Sequence, residues 1–359
     1  MNEIAFVLLA DLHFGDDFDR EAELPPIEHT RLSTLLRAVS PANRFFARNC
    51  IAHDLAVVGA LPRYLTKLFV EARQRGFQGD TFDQFLLLGD IVTWPSQRSF
   101  TFARQYLSQD EYSPLEGVGH TRGLKIPAAS VVTVPGNHDK LMSSDLDNYH
   151  RLFAGPLSGA AYPNPRRSHM VSRRIKNREV LFIILDANIY PVDALSLKAS
   201  CRNHLARGSV AGEMIAEVRS KMTQLKDRVS VDEAELHDFE GATKILILHY
   251  AADHRAVWQR ATPPANLLLP HTCRGVGSLV ESLKQDLDVI VHGHLHVPRI
   301  YRFHGVPVVS VPSMSQRGAR NGFYVLRFVD GDIRADYHQW ARTGFAFDQS
   351  SALSCSLVS

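Results

Sequence analysis

The chain has little cysteine, no long apolar run and no surplus of either charge. Its four cysteines, Cys50, Cys201, Cys273 and Cys355, lie far apart and form no C-x-x-C pair. That excludes a spaced thiolate motif and leaves reduced, buried thiols of a cytoplasmic protein as the expectation. The N-terminal apolar stretch, Ile4 to Ala10, is stopped by Asp11. It is too short for a membrane span and lacks the basic flank and cleavage site of a secretory leader, so it reads as a first core strand. No later segment is long enough to span a bilayer, and no membrane partner is expected. Lys and Arg total 40 against 38 Asp and Glu, a formal charge of +2. A dedicated nucleic-acid binder usually carries a clear basic excess, so a nucleic-acid partner is not favoured, although a local basic patch would still allow one. Nothing in the composition fixes the oligomeric state.

What the chain does have is a series of continuous apolar runs: Ile4–Ala10, Phe85–Leu88, Val131–Val134, Leu181–Leu185, Ile245–Leu248 and Val289–Val291. Continuous rather than alternating runs predict strands buried on both faces. Helical spacing of Leu61, Leu65, Leu68, Phe69 and Ala72, with Gly76 as a stop, predicts a helix between the first two. Met214, Ile215, Val218, Met222 and Leu225 predict another, extending through the 230s, with a core-facing stripe. Val306–Val311 is strand-like, and Phe323–Val329 and Ile333–Tyr337 flank Asp330-Gly331-Asp332 as a hairpin. The fold class is therefore α/β, with one domain over residues 1–340 and a small, polar tail at 341–359 whose last ten residues are expected to fray. Residues 14–56 and 95–126 exceed what one crossover needs and read as insertions, either loops over a site or extra packing elements.

A polar, ligand-type residue follows nearly every strand: Asp11, Asp90, Asn137, Asp186, His249 and His292. Open α/β sheets gather their ligands outside the carboxyl ends of the strands. Five segments stand out there: Asp11-Leu12-His13, Gly89-Asp90, Gly136-Asn137-His138-Asp139, His249, and Gly293-His294-Leu295-His296. Asp11 and His13 alternate by two, as do His294 and His296, which at a strand end points each pair to one side. Carboxylates, imidazoles and an amide without cysteine or methionine suit Mn, Fe or Zn better than Cu(I) or an iron–sulfur cluster. There are enough donors for two divalent ions, Mn before Fe or Zn, with Asp90, central in the series, as the natural bridge.

The order D-x-H, G-D, G-N-H-D, H, G-H-x-H resembles the calcineurin-like metallophosphoesterases, with all five motifs complete between about residues 5 and 296. The resemblance implies a four-layer α/β/β/α sandwich with insertions near the active site. It implies that Asp11, His13, Asp90 and His296 hold one metal, and Asp90, Asn137, His249 and His294 the other. It further implies that His138 acts on the leaving oxygen of a substrate phosphate, that Asp139 orients His138, and that hydrolysis proceeds by in-line attack of a metal-bound hydroxide.

The family's Ser/Thr protein phosphatases continue G-D-x-V with Asp-Arg-Gly, whereas this chain reads Gly89-Asp90-Ile91-Val92-Thr93-Trp94. Its Pro135-Gly136-Asn137-His138-Asp139, its Gly293-His294-Leu295-His296 and its Pro312-Ser313-Met314 followed by a hairpin look more like bacterial phosphodiesterases of the cyclic-nucleotide type. Trp94 stands where those often carry an acid, and His249-Tyr250-Ala251 replaces their His-His-Pro. A small phosphodiester, nucleotide-type or other, is the expected substrate. The alternatives are a DNA nuclease, since Asp11-Leu12-His13-Phe14-Gly15 resembles the opening motif of repair exonucleases, a phosphomonoesterase, and a non-catalytic scaffold. Tyr250 reads either as a substrate contact or as a ring packed over the site, and Asp186 and Asn188 either as supports of the site or as loop caps. Arg166, Arg167, Arg173, Arg174, Lys176 and Arg178 form either a solvated hairpin face or a polyanion contact. His292 is expected to be structural, and His53, His204, His254 and His304 ordinary.

Overall fold

The computed structural model describes residues 3–14, 55–74, 82–93, 95–112, 121–140, 149–155, 168–188, 208–253, 273–315, 320–329, 331–341 and 344–356. The main strands are β1 (Ile4–Leu9), β2 (Gln84–Leu87), β3 (Val131–Thr133), β4 (Ser168–Ile175), β5 (Arg178–Leu185), β6 (Thr243–Leu248), β7 (Val289–His292), β8 (Arg299–Phe303), β9 (Val306–Ser310), β10 (Gly322–Val329), β11 (Asp332–Ala341) and β12 (Gly344–Ser356). They form two sheets, in the orders β12, β11, β10, β1, β2, β3 and β8, β9, β7, β6, β5, β4. In the first, β1, β2 and β3 run parallel; in the second, β5, β6, β7 and β9 do. Parallel strands put all their carboxyl ends at one edge, which is where the motif residues emerge.

The continuous apolar runs have two faces, and each face has its own neighbour. In β1, Ile4, Phe6 and Leu8 pack between the sheets with Phe182, Ile245, Val291 and Phe328. The alternate residues Ala5, Val7 and Leu9 pack with α1 (Leu55–Gln74) and α2 (Gln97–Ser108) through Leu61, Phe100 and Tyr106. On the other sheet, Leu246, Leu248 and Ile290 meet α3 (Gly212–Lys226) and α4 (Val276–Leu283) through Met214, Val218, Leu279 and Val280. The result is the four-layer α/β/β/α sandwich. Phe6 ties the sheets together, its ring 5.9 Å from that of Phe182 and 5.6 Å from that of Phe328.

Helix α3 and strands β4, β8 and β12 differ from the sequence reading. Helix α3 carries the expected Met stripe but stops at Lys226 instead of running through the 230s. Arg228 adopts a left-handed φ of 61°, Val229 N–H reaches the Gln224 carbonyl at 2.8 Å, and Arg228 N–H reaches that of Leu225 at 3.1 Å. This is a Schellman stop without glycine, so no glycine marks it. The C-terminal tail is not frayed through 356: β12 pairs antiparallel with β11, Trp340 opposite Phe345 and Ile333 opposite Cys355. In the 95–126 segment, residues 97–108 form the packing helix that was one of the two readings, capped where the Ser96 side chain accepts from Ser99 N–H at 3.0 Å. Strands β4 and β8 were unmarked because they mix charged residues into short apolar segments. Of the 14–56 segment, residues 15–54 lie outside the described residues, as does Gly76. No helix among the described residues is long and apolar enough to cross a membrane.

Candidate metal centre

The motif residues sit on turns of unusual backbone. Asp11, His13, Asp90, His294 and His296 have φ of 52°, 51°, 49°, 69° and 52°. Left-handed non-glycine residues are uncommon, persist where surrounding contacts over-determine them, and cluster at functional sites. Asp11 and His13 therefore face one side through paired left-handed turns, not through the strand alternation the spacing predicted. Asp11 N–H donates to the Gly89 carbonyl and His13 N–H to that of Asp90, both at 3.0 Å. From the far side Ser313 Oγ donates to the Asp11 carbonyl at 2.9 Å and Ser315 Oγ to that of Leu12 at 2.8 Å. The Pro312-Ser313-Met314 segment thus clamps the first motif.

Two donor groups result. One ligand atom each from Asp11, His13 and His296 lie within 4.8 Å of one another, and the same holds for Asp90, His249 and His294. Nδ1 of His249 donates to the Leu88 carbonyl at 2.8 Å, which fixes the tautomer and turns the Nε2 lone pair inward. Around that nitrogen stand Asn137 Oδ1 at 3.1 Å, His294 Nδ1 at 3.1 Å and Asp90 Oδ2 at 3.3 Å. Convergence of oxygens and imidazole nitrogens is what a divalent cation satisfies, so the residues fit the two-metal expectation. Burial disfavours a charged ring at His249, yet the Asp90 carboxylate beside it lifts its pKa to about 9. Burial likewise opposes the Asp90 charge, but His249, His138 and His13 hold that carboxyl well below the usual range. The site thus draws positive charge, as protons or as a cation. Asn137 joins the second group, and Asp90 is electrostatically coupled to both His249 and His13.

Glycine is required at two of these turns. Gly89 has φ of +85°, and a Cβ on Gly136 would lie 2.1 Å from Asp90 Oδ1. His138, half-buried, donates its main-chain N–H to Asp90 Oδ1 at 2.8 Å and its Nδ1–H to the Thr93 carbonyl at 3.0 Å, leaving Nε2 as the nitrogen that can carry a transferred proton. The expectation that Asp139 orients this ring is corrected. Asp139 Oδ1 accepts from Ile91 and Val92 N–H at 2.9 and 3.1 Å, and Oδ2 from Gly136 N–H at 2.8 Å. It braces the two loops, with burial and then the neighbouring Asp90 pushing its carboxyl up to about 8. The tautomer of His138 is set by Thr93, a main-chain oxygen that sequence cannot single out.

The remaining open readings divide. Tyr250 is fully buried, its ring 4.9 Å from that of His294, so it packs behind the site. Asp186 and Asn188 are buried supports, and Asp186 pairs with Lys140, a residue the motif reading passed over. His292 is buried between the Gly293 carbonyl and Tyr301 Oη, and burial lowers its pKa to about 4. In the basic cluster Lys176 lies 3.3 Å from Asp83 and Arg173 4.0 Å from Glu233, on the β4–β5 hairpin; Arg166 and Arg167 lie outside the described residues. So do His53, His204 and His254, while His304 pairs with Glu281 at 2.7 Å.

Comparison with known proteins agrees with this chemistry. The family model described as calcineurin-like phosphoesterase matches residues 4–298. A search of curated proteins gives no match. Among solved structures the chain is similar to GAP50, described as the anchor in the inner membrane complex of Plasmodium, at 9% identity and a TM-score of 0.45, covering 95% of this chain and 86% of that one. It is also similar to the phosphopantetheinyl hydrolase of Mycobacterium tuberculosis, at 14% identity and TM-score 0.41, covering 87% and 90%. A third is a putative 5'-nucleotidase from Staphylococcus aureus, at 10% identity and TM-score 0.39, covering 100% of this chain and 55% of that one. With the family match running from β1 to just beyond His296, the chain belongs to the calcineurin-like phosphoesterases and is a metal-dependent phosphoester hydrolase.

Proposed function

We propose that the protein is a phosphodiesterase acting on a nucleotide-type or other small phosphodiester. Asp11, His13, Asp90 and His296 would hold one ion and Asp90, Asn137, His249 and His294 the other, with Mn the first candidate. Bound there, such ions lower the pKa of water toward neutrality and neutralise phosphate oxygens. His138 donates a proton from Nε2 to the departing oxygen while the Thr93 carbonyl holds its Nδ1–H, a role worth roughly 10²–10⁴-fold. Asp139 keeps the His138 turn against the loop after Asp90, so that the proton donor and the Asp90 carboxylate move as one body.

The observation that carries the reading is the convergence of both donor groups beside a half-buried histidine whose tautomer is fixed. The choice of a diester draws on the resemblance of Pro135-Gly136-Asn137-His138-Asp139 and Gly293-His294-Leu295-His296 to the phosphodiesterase form of these motifs. The test is a Mn²⁺-supplemented comparison of bis-nitrophenyl phosphate, nitrophenyl phosphate, cyclic nucleotides and linear DNA. Preference for the small diesters is expected. Preference for the monoester, or for DNA with binding that weakens steeply in salt, would replace the substrate class.

A further inference from the structure

The Gly136–Asp139 tetrapeptide is gripped at both ends by groups the reaction does not use. At its amino end the Pro135 carbonyl accepts from Asn188 Nδ2 at 3.3 Å. At its carboxyl end Lys140 Nζ, fully buried, meets Asp186 Oδ2 at 2.6 Å and His150 Nε2 at 3.3 Å. Asp186 and Asn188 are themselves joined. Asp186 Oδ1 accepts from the Asn188 main-chain N–H at 3.1 Å and from its Nδ2 at 2.8 Å. Asn188 Oδ1 then accepts from Tyr250 Oη at 2.8 Å. The Tyr250 ring lies 4.9 Å from the His294 ring and 5.2 Å from the His249 ring. Every side chain in this chain of contacts from Lys140 to Tyr250 is buried.

We propose that Lys140, Asp186, Asn188 and Tyr250 form a buried brace that positions Asn137 on one side against His249 and His294 on the other, and so sets the geometry of the second metal site. The inference rests on the reading of those three residues as metal ligands. Its physical basis is that Asn137 and His294 come from turns of different sheets, with no covalent tie between them. A buried ion pair is a poor source of stability, since desolvation offsets its attraction, but it fixes geometry because misplacement strands a charge. Groups behind metal ligands orient them in the same way, and their loss typically lowers metal affinity or activity 10–100-fold. These four are positioning residues, not catalytic ones.

The test uses the full chain and Co²⁺ as probe. Tyr250→Phe removes one hydroxyl and keeps the ring. Lys140→Met with Asp186→Asn removes both charges together, so that neither is left buried alone. For each variant, Co²⁺ affinity is measured by chelator competition, its visible ligand-field spectrum is recorded, and the metal-free protein is melted. The brace predicts Co²⁺ affinity lower by roughly tenfold for Tyr250→Phe and up to about 100-fold for the double variant. It also predicts an altered ligand-field band, with the metal-free melting curve of Tyr250→Phe kept. Wild-type affinity and spectrum in Tyr250→Phe would overturn the brace, whatever the double variant does to folding. A wild-type protein that takes up no Co²⁺ would instead overturn the ligand assignment beneath it.

Discussion

Nε2 of His296 lies 2.9 Å from Oδ1 of Asp11 across 285 positions of sequence, while Asp11 Oδ2 accepts the His294 main-chain N–H at 3.0 Å. Asp90 repeats the arrangement: Oδ1 accepts the His138 N–H at 2.8 Å and Oδ2 faces His249 Nε2 at 3.3 Å. Each aspartate anchors one oxygen to a main-chain N–H of another motif loop and presents the other to the site. The Asp11 carboxylate thus fastens turns of the two sheets to each other, while that of Asp90 fastens two turns of its own sheet and faces His249 of the other.

Asp90→Asn and His138→Ala should fail differently. Asp90→Asn is expected to lose metal and nearly all turnover. His138→Ala is expected to keep metal and lose roughly 10²–10⁴-fold in kcat, least with nitrophenol as leaving group. Metal analysis beside kinetics on a leaving-group series checks this. Equal impairment across the series would remove the acid role from His138.

Gly136→Ala should damage the site without unfolding the protein. Its Cβ would meet Asp90 Oδ1 at 2.1 Å and Asp90 N at 2.3 Å, backbone and ligand rather than a flexible chain end. Metal content should fall with little change in circular dichroism. Full occupancy in the variant would show that the turn relaxes freely.

Acid sensitivity should include a contribution from His338. Its ring stacks on Phe323 at 4.9 Å and pairs with Tyr64 Oη at 3.0 Å, and burial lowers its pKa to about 3. Between that value and the unfolded pKa of about 6.5 only the unfolded chain binds the proton. Stability from the neutral ring is thus complete above about pH 6.5 and is lost as pH falls toward 3, by up to about 1.4 kcal/mol per unit. His338→Phe should flatten the fall in stability between pH 6.5 and 4. Parallel curves for both proteins would contradict the assignment.

Phe6→Ala removes the ring that joins Phe182 to Phe328 between the sheets and should cost about 3–5 kcal/mol in urea unfolding. A loss below about 1 kcal/mol would mean that the sheets close over the cavity.

The strands were legible because short continuous apolar runs bounded by turn residues fit strands buried on both faces, and the donor residues because each follows such a run. Residues that act through the main chain were not legible. The carbonyls of Leu88 and Thr93, which set two histidine tautomers, carry no side-chain signature. The left-handed turns at Asp11, His13, His294 and His296 were hidden because few non-glycine residues adopt that conformation and nothing in their side chains marks which do. Lys140, the partner of Asp186, was out of reach for another reason: a charged residue beside a motif reads as solvated until both burial and partner are known. Arg228 hid the end of α3 in the same way, ending a helix without the glycine that usually marks it.

The most direct test of the central claim is a Mn²⁺ titration of the full chain by calorimetry or equilibrium dialysis with metal analysis. The two donor groups around Asp90 predict uptake of two ions per chain in the wild type and loss of both sites in Asp90→Asn. Uptake of none by the wild type, or of two by Asp90→Asn with wild-type affinity, would contradict it.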